Sequence, residues 1–192
     1  MHGIPRSCCK IGHMSNRARV APDFSRPLEA LKKCHERIRT ECDALRKLVA
    51  YMKRKGCDGQ ARQSAAALMR YFDTVTRYHH EDEEEDLLPR MMVAATLGRG
   101  SKLTRLVADI ASEHRVMDRE CTELRTVLQE ISAGEIAAVL DVLDVDRFAK
   151  HYYSHIAVEE ASVFPLAEML LSNDDFTAIS ISMAQRRSSS SC

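Results

Sequence analysis

The sequence predicts an all-α protein, an up-down-up-down four-helix bundle with a short fifth helix at its C-terminal end. Three observations predict it. Apolar residues recur at alternating spacings of three and four along four long segments, which marks one buried stripe on each of four helices. Glycine-containing turns separate the segments, as short connections between antiparallel helices require. The composition is that of one soluble globular domain: 192 residues, 45% hydrophobic and 29% charged, with no tryptophan and five prolines.

The first segment carries Leu28, Leu31, Ile38, Cys42, Leu45, Val49 and Met52 on its stripe, with a gap at position 35. Ser25 and Pro27 form its start, and Gly56 with Asp58-Gly59 its stop and turn. The second carries Ala65, Leu68, Phe72 and Val75 and runs on towards Pro89. The third follows Gly98-Arg99-Gly100 with Ser101 as cap. Its stripe is Leu103, Val107, Ile110, Met117, Cys121, Leu124, Leu128 and Ile131, with a gap at 114. The fourth opens on a capping-box pattern, Ser132 to Glu135, and continues through Phe148, Tyr152, Val163, Leu166 and Leu170 to Ser172-Asn173. As one helix it is too long, so a break is expected near Asp144–Asp146. The fifth starts at Asp174, with Phe176, Ile179 and Met183 on one side. The domain is assigned to 27–187. The leader, 1–26, and the polar end RRSSSSC, from 188 outside the domain, are expected to be disordered.

Lys plus Arg equals Asp plus Glu at 28 each, so the charge gives no reason to expect a nucleic-acid or anionic-membrane partner. No apolar run approaches the ~18 residues of a membrane span. The N-terminus has basic residues but no apolar core of a secretory signal, whether the working protein begins at Met1 or Met14. Seven cysteines without framework spacing read as reduced thiols of a cytoplasmic protein. Cys8-Cys9 lacks the two-residue spacer of a zinc site.

Both gaps in the stripes are histidines, His35 and His114. Extending the second stripe from Val75 gives His79, and extending the fourth from Tyr152 gives His155. Each helix therefore sends one histidine inward. If stripe positions are about two in seven of a helix, chance places four histidines there on the order of one time in 150. A single histidine on such a stripe is ordinarily a core residue bonded to a carbonyl; four together suggest a common purpose. Glu83 and Glu159 lie four residues after His79 and His155, one turn further along the same faces. Burying ionised carboxylates is prohibitive unless they are paired or metal-bound, and no lysine or arginine shares the stripe nearby.

The chain also repeats itself. HHEDEEEDLLP at 79–89 and HIAVEEASVFP at 155–165 align proline on proline, His79 on His155 and Glu83 on Glu159. That alignment favours His79 and Glu83 over the adjacent pair His80 and Glu84. Glu81, Asp82, Glu85 and Asp86 are then read mostly as a solvated face, and His151, one turn before His155, as a further candidate. Four imidazoles and two carboxylates exceed the four ligands of a structural zinc. They suit two adjacent metals with bridging carboxylates, and the thiolate-free donor set suits non-haem iron, with manganese or zinc as substitutes.

These residues resemble the hemerythrin-like family, proteins with the HHE cation-binding domain. The resemblance covers about 27–187 and rests on LEALKKCHERI, HHEDEEEDLLP, SEHRVMD and HIAVEEASVFPLAEM. It implies an oxo- or hydroxo-bridged di-iron centre held by His35, His79, Glu83, His114, His155 and Glu159. It also implies a small diatomic ligand or peroxide as partner, so that the protein binds or senses dioxygen, nitric oxide or peroxide. The alternative is a di-iron enzyme that decomposes peroxide or handles iron; the third reading is a metal-free helical interaction module. Oxygen-carrying members have a fifth histidine in an HxxxH unit on the third helix and an aspartate ligand on the fourth. Here Asp118 follows His114 by four and Glu159 supplies the carboxylate, which argues against reversible oxygen carriage. The Glu-x-x-His unit of ferritin-like centres is missing.

Overall fold

The computed structural model describes residues 23–95, 100–135 and 140–188. Cys8, Cys9, Met1, Met14 and most of the leader lie outside the described residues, as do 189–192. All regular structure among the described residues is helical, in five rods. Helix α1 is Pro27–Lys55, α2 spans 59–95, α3 is Gly100–Ala133, α4 spans 142–170 and α5 is Asn173–Ser188.

Local chemistry accounts for most of the ends. Pro27 occupies the first turn of α1, where its missing N–H costs nothing; Arg26 precedes it without capping through its side chain. Gly56 closes α1 at φ 72°, a conformation that disfavours any Cβ, and its N–H bonds Met52 O. Asp58, expected as part of a turn, caps α2 by accepting from the N–H groups of Gln60 and Ala61.

The start of the fourth helix differs from expectation. Ser132 belongs to the last turn of α3 and donates to Gln129 O, and Gly134 at φ 90° ends the helix. Helix α4 begins instead at Val142, capped by Asp141, whose carboxylate accepts from Leu143 N at 2.6 Å. The break thus falls ahead of Asp144–Asp146, because a glycine in the left-handed region and a capping aspartate outweigh the capping-box pattern. The polar end also differs: Arg186 and Arg187 are helical, in the last turn of α5.

Helices α2 and α4 are not uniform. Wide π turns interrupt α2 at Phe72–Thr76 and Asp82–Leu87 and α4 at Glu159–Val163. Proline explains two of them. The ring of a mid-helix proline clashes with the carbonyl four residues back. For Pro89 and Pro165 those carbonyls belong to Glu85 and Ala161, both inside a widened turn. Each wide turn absorbs one extra residue and rotates the rest of the helix by about 100° against the regular register. Hence Val75, Leu166 and Leu170, expected on the stripes, are only half-buried, while Thr76, Phe164 and Ala167 are buried.

Helix α1 packs on α2 and α4, and α3 packs on the same two helices. Two apolar clusters fill the interior. One includes Ile38, Cys42, Leu45, Leu68, Phe72, Leu128, Phe148, Tyr152 and Ile156. The other includes Leu31, Leu87, Met91, Ile110, Phe164, Ile179 and Met183. Along the first three helices the passage from one cluster to the other occurs at a histidine: His35 between Leu31 and Ile38, His79 between Phe72 and Leu87, His114 between Ile110 and Met117; along α4 it falls between Ile156 and Val163, just past His155. Truncating a fully buried residue such as Leu45 to alanine costs about 2–5 kcal/mol. These clusters hold the four helices rigidly on either side of one polar level.

Candidate metal centre

The polar level brings together His35, His79, Glu83, His114, His155 and Glu159, all at most 2% exposed. Their donor atoms form two groups of four, within each of which the atoms lie within 4.8 Å of one another. The first is His35, His79, Glu83 and Glu159; the second is His114, His155, Glu83 and Glu159. Both glutamates are common to the two groups. Glu159 divides its oxygens between them: Oε2 is 3.1 Å from His35 Nε2, and Oε1 is 2.8 Å from His155 Nε2. Glu83 Oε2 lies 3.7 Å from His79 Nε2 and 3.5 Å from His114 Nε2.

Three of the four imidazoles are held from behind by a carboxylate. His35 Nδ1 donates to Glu160 at 2.9 Å, His114 Nδ1 to Glu84 at 2.7 Å and His155 Nδ1 to Glu113 at 2.7 Å. A proton fixed on Nδ1 leaves the Nε2 lone pair pointing inward, the tautomer a metal ligand needs. Nε2 atoms then face each other in pairs, 3.1 Å apart for His35 and His79 and 2.9 Å apart for His114 and His155. Opposed lone pairs at that separation repel unless a proton or a cation lies between them.

The carboxylates are in the same position. No oxygen of Glu83 or Glu159 has a well-aligned hydrogen-bond donor among the described residues. Two ionised carboxylates within 4.8 Å of one another repel by roughly 3–4 kcal/mol at an effective dielectric of about 20. Burial and the neighbouring Glu159 hold Glu83 well above the usual carboxylate range. Burial acts on Glu159 in the same sense, but the close approach of His114, His155 and His35 outweighs it and holds Glu159 well below that range. His79 is driven well down by burial and by His35. Divalent cations relieve every one of these conflicts at once, and the donor set of imidazole and carboxylate suits them.

The remaining candidates lie elsewhere. His80, the alternative to His79, is buried but belongs to neither group of four; its ring stacks on His114 at 4.2 Å and its Nδ1 bonds Asp118 at 3.2 Å. Glu84 serves as the anchor of His114, not as a donor to the centre. His151 is half exposed and bonds Glu120 at 2.9 Å, away from the centre. The acidic run is not a solvated face throughout. Asp82 and Asp86 are buried under α5, where Arg186 bonds Asp82, Glu85 and Asp86, and Arg187 bonds Asp82. Sequence reasoning did not assign Glu113, Glu160, Arg186 or Arg187. The doubled glutamates at 83–84 and 159–160 were the available signal for Glu84 and Glu160. Nothing marked Glu113.

The four described cysteines form no disulfide. Burial pushes the thiols of Cys34, Cys42 and Cys121 up to about 12, so they stay protonated and unreactive near neutral pH. No helix among the described residues is long and apolar enough to cross a membrane.

Comparison with known proteins agrees with this geometry. A protein of Haemophilus influenzae, described only as uncharacterized, is 26% identical over 164 residues, which cover 85% of this chain and 91% of that protein. The family model for the hemerythrin HHE cation-binding domain matches residues 26–167, a span that holds all six donors and the three carboxylate anchors. The chain belongs to the hemerythrin HHE cation-binding domain family.

Proposed function

We propose that this is a non-haem di-iron protein of hemerythrin type, its four long helices running up-down-up-down, which binds or senses dioxygen, nitric oxide or peroxide in the cytoplasm. The observation that carries the reading is the pair of four-donor groups sharing Glu83 and Glu159. His35 and His79 would hold one ion, His114 and His155 the other, with the glutamates common to both. Bound iron would supply redox chemistry and a place for a small ligand to attach.

The residues of the chain supply the rest. Glu84, Glu113 and Glu160 keep the imidazoles in the ligating tautomer. The apolar clusters on either side keep bulk water from the centre. The cytoplasmic assignment is supported by the free cysteines.

The test is metal analysis of protein expressed with ample iron, together with its absorption spectrum. About two irons per chain and a charge-transfer band altered by oxygen, nitric oxide or peroxide are expected. Colourless protein without iron would overturn the proposal. Sustained oxygen release from peroxide, lost in His155→Ala, would move the assignment from binder to enzyme.

A further inference from the structure

The two groups of four donors are not equivalent. In the second, both imidazoles are held from behind: His114 by Glu84 and His155 by Glu113, each at 2.7 Å. Flat ring packing is common to both groups: His114 lies against His80, with ring centres 4.2 Å apart and planes 14° from parallel, and His35 lies against Phe164 at 5.3 Å and 10°. In the first group only His35 is anchored, at 2.9 Å, by a Glu160 that also binds Arg39 at 3.0 Å. His79 Nδ1 is buried and has no acceptor among the described residues. Its ring meets His35 edge-on and His80 at a tilt, with no flat packing against either. The glutamates show the same difference. The closest carboxylate oxygen lies 2.8 Å from His155 Nε2 and 3.5 Å from His114 Nε2, against 3.1 Å from His35 Nε2 and 3.7 Å from His79 Nε2.

A carboxylate behind a ligating imidazole raises its basicity and fixes its orientation, and loss of such a partner typically weakens metal binding by about 10–100-fold. We infer that the two cation positions are built unequal: a tight one at His114 and His155, positioned by Glu84 and Glu113, and a loose one at His35 and His79. The inference rests on the dinuclear reading above and deepens it. The loose position is the one that fills last, empties first and exchanges its ion with the medium. Arg39 weakens its remaining anchor further, because the guanidinium draws on the charge that Glu160 presents to His35.

The experiment is a titration of the metal-free full-length protein with Mn2+, followed by electron paramagnetic resonance. The first equivalent is expected to bind at least about tenfold more tightly than the second and to give a magnetically isolated signal. The second equivalent converts that signal to a coupled one. Glu113→Gln and Glu84→Gln, each nearly isosteric, should weaken the first ion by about 10–100-fold and draw the two steps together. Glu160→Gln should weaken the second ion and draw the steps apart. Unchanged melting of the metal-free variants would separate these effects from general damage to the fold. A coupled signal from the first addition onward, or equal weakening of both steps by Glu113→Gln, would overturn the inequality while leaving the dinuclear centre standing. Failure to bind Mn2+ at all would overturn both.

Discussion

Two clusters of buried acidic groups share one stretch of α2, and the protein treats them in opposite ways. Asp82 and Asp86 point towards α5 and meet Arg186 and Arg187. Glu83, on the next position of the same helix, points to the bundle interior and meets Glu159, with no arginine or lysine in reach among the described residues. The first cluster is neutralised by the chain itself and serves to fasten a helix. The second is left short of positive charge although it is as deeply buried. A fold that places two guanidinium groups on one carboxylate and none on its neighbour has the means to neutralise charge. The deficit at Glu83 and Glu159 therefore indicates a cation from outside.

That comparison can be broken most directly at the arginines. Replacing Arg186 and Arg187 together by alanine leaves Asp82 buried and uncompensated. The expected loss is about 3–5 kcal/mol of folding stability, measured by denaturant unfolding, with metal content unchanged. A loss of bound metal in step with stability would mean that the two clusters are one unit. Chelation comes next. At a free metal concentration a hundredfold above the dissociation constant, bound metal adds about 2.7 kcal/mol per site. Removing each ion should lower the melting temperature by about 5–11 °C in a domain of this size, and Glu159→Ala should abolish the difference made by both.

A third test reverses the sign. Glu83→Met removes a buried acidic group that the chain does not pair, so the metal-free protein should become more stable by about 1–4 kcal/mol or stay unchanged while losing metal. Strong destabilisation of the metal-free protein would show that Glu83 has a structural partner after all. The smallest effect belongs to Glu85, which reaches Arg186 from a largely exposed position. Glu85→Gln should change stability by about 0–1 kcal/mol, and less in high salt.

Much of this was legible from spacing. The stripes on α1 and α3, uninterrupted by wide turns, are buried at most of the positions their periodicity indicates, with His35 and His114 among them, while Met52, Val107 and Cys121 are half-buried. The proline-aligned repeat singled out His79 and Glu83, which lie in the four-donor groups, from His80 and Glu84, which do not. Periodicity failed where the helix itself departs from 3.6 residues per turn. Past each wide turn the stripe moves to a neighbouring face, so Phe164 and Ala167 displaced Leu166 and Leu170 from the core. Asp82 and Asp86 were misread for a related reason. The arginines that bury them arrive from a helix about a hundred residues away in sequence, at an end that composition alone marked as disordered.

The order of residues along the chain determined that there would be amphipathic helices and which histidines and glutamates would share their inner faces, because a helix has a fixed pitch and burial requires one apolar side. Only the assembled structure decided that six of those groups meet at one level between two apolar clusters, that Glu84, Glu113 and Glu160 stand behind three of the imidazoles, and that α5 covers the acidic run. These are contacts between helices, and they arise from how side chains pack in three dimensions, which no spacing within a single helix records.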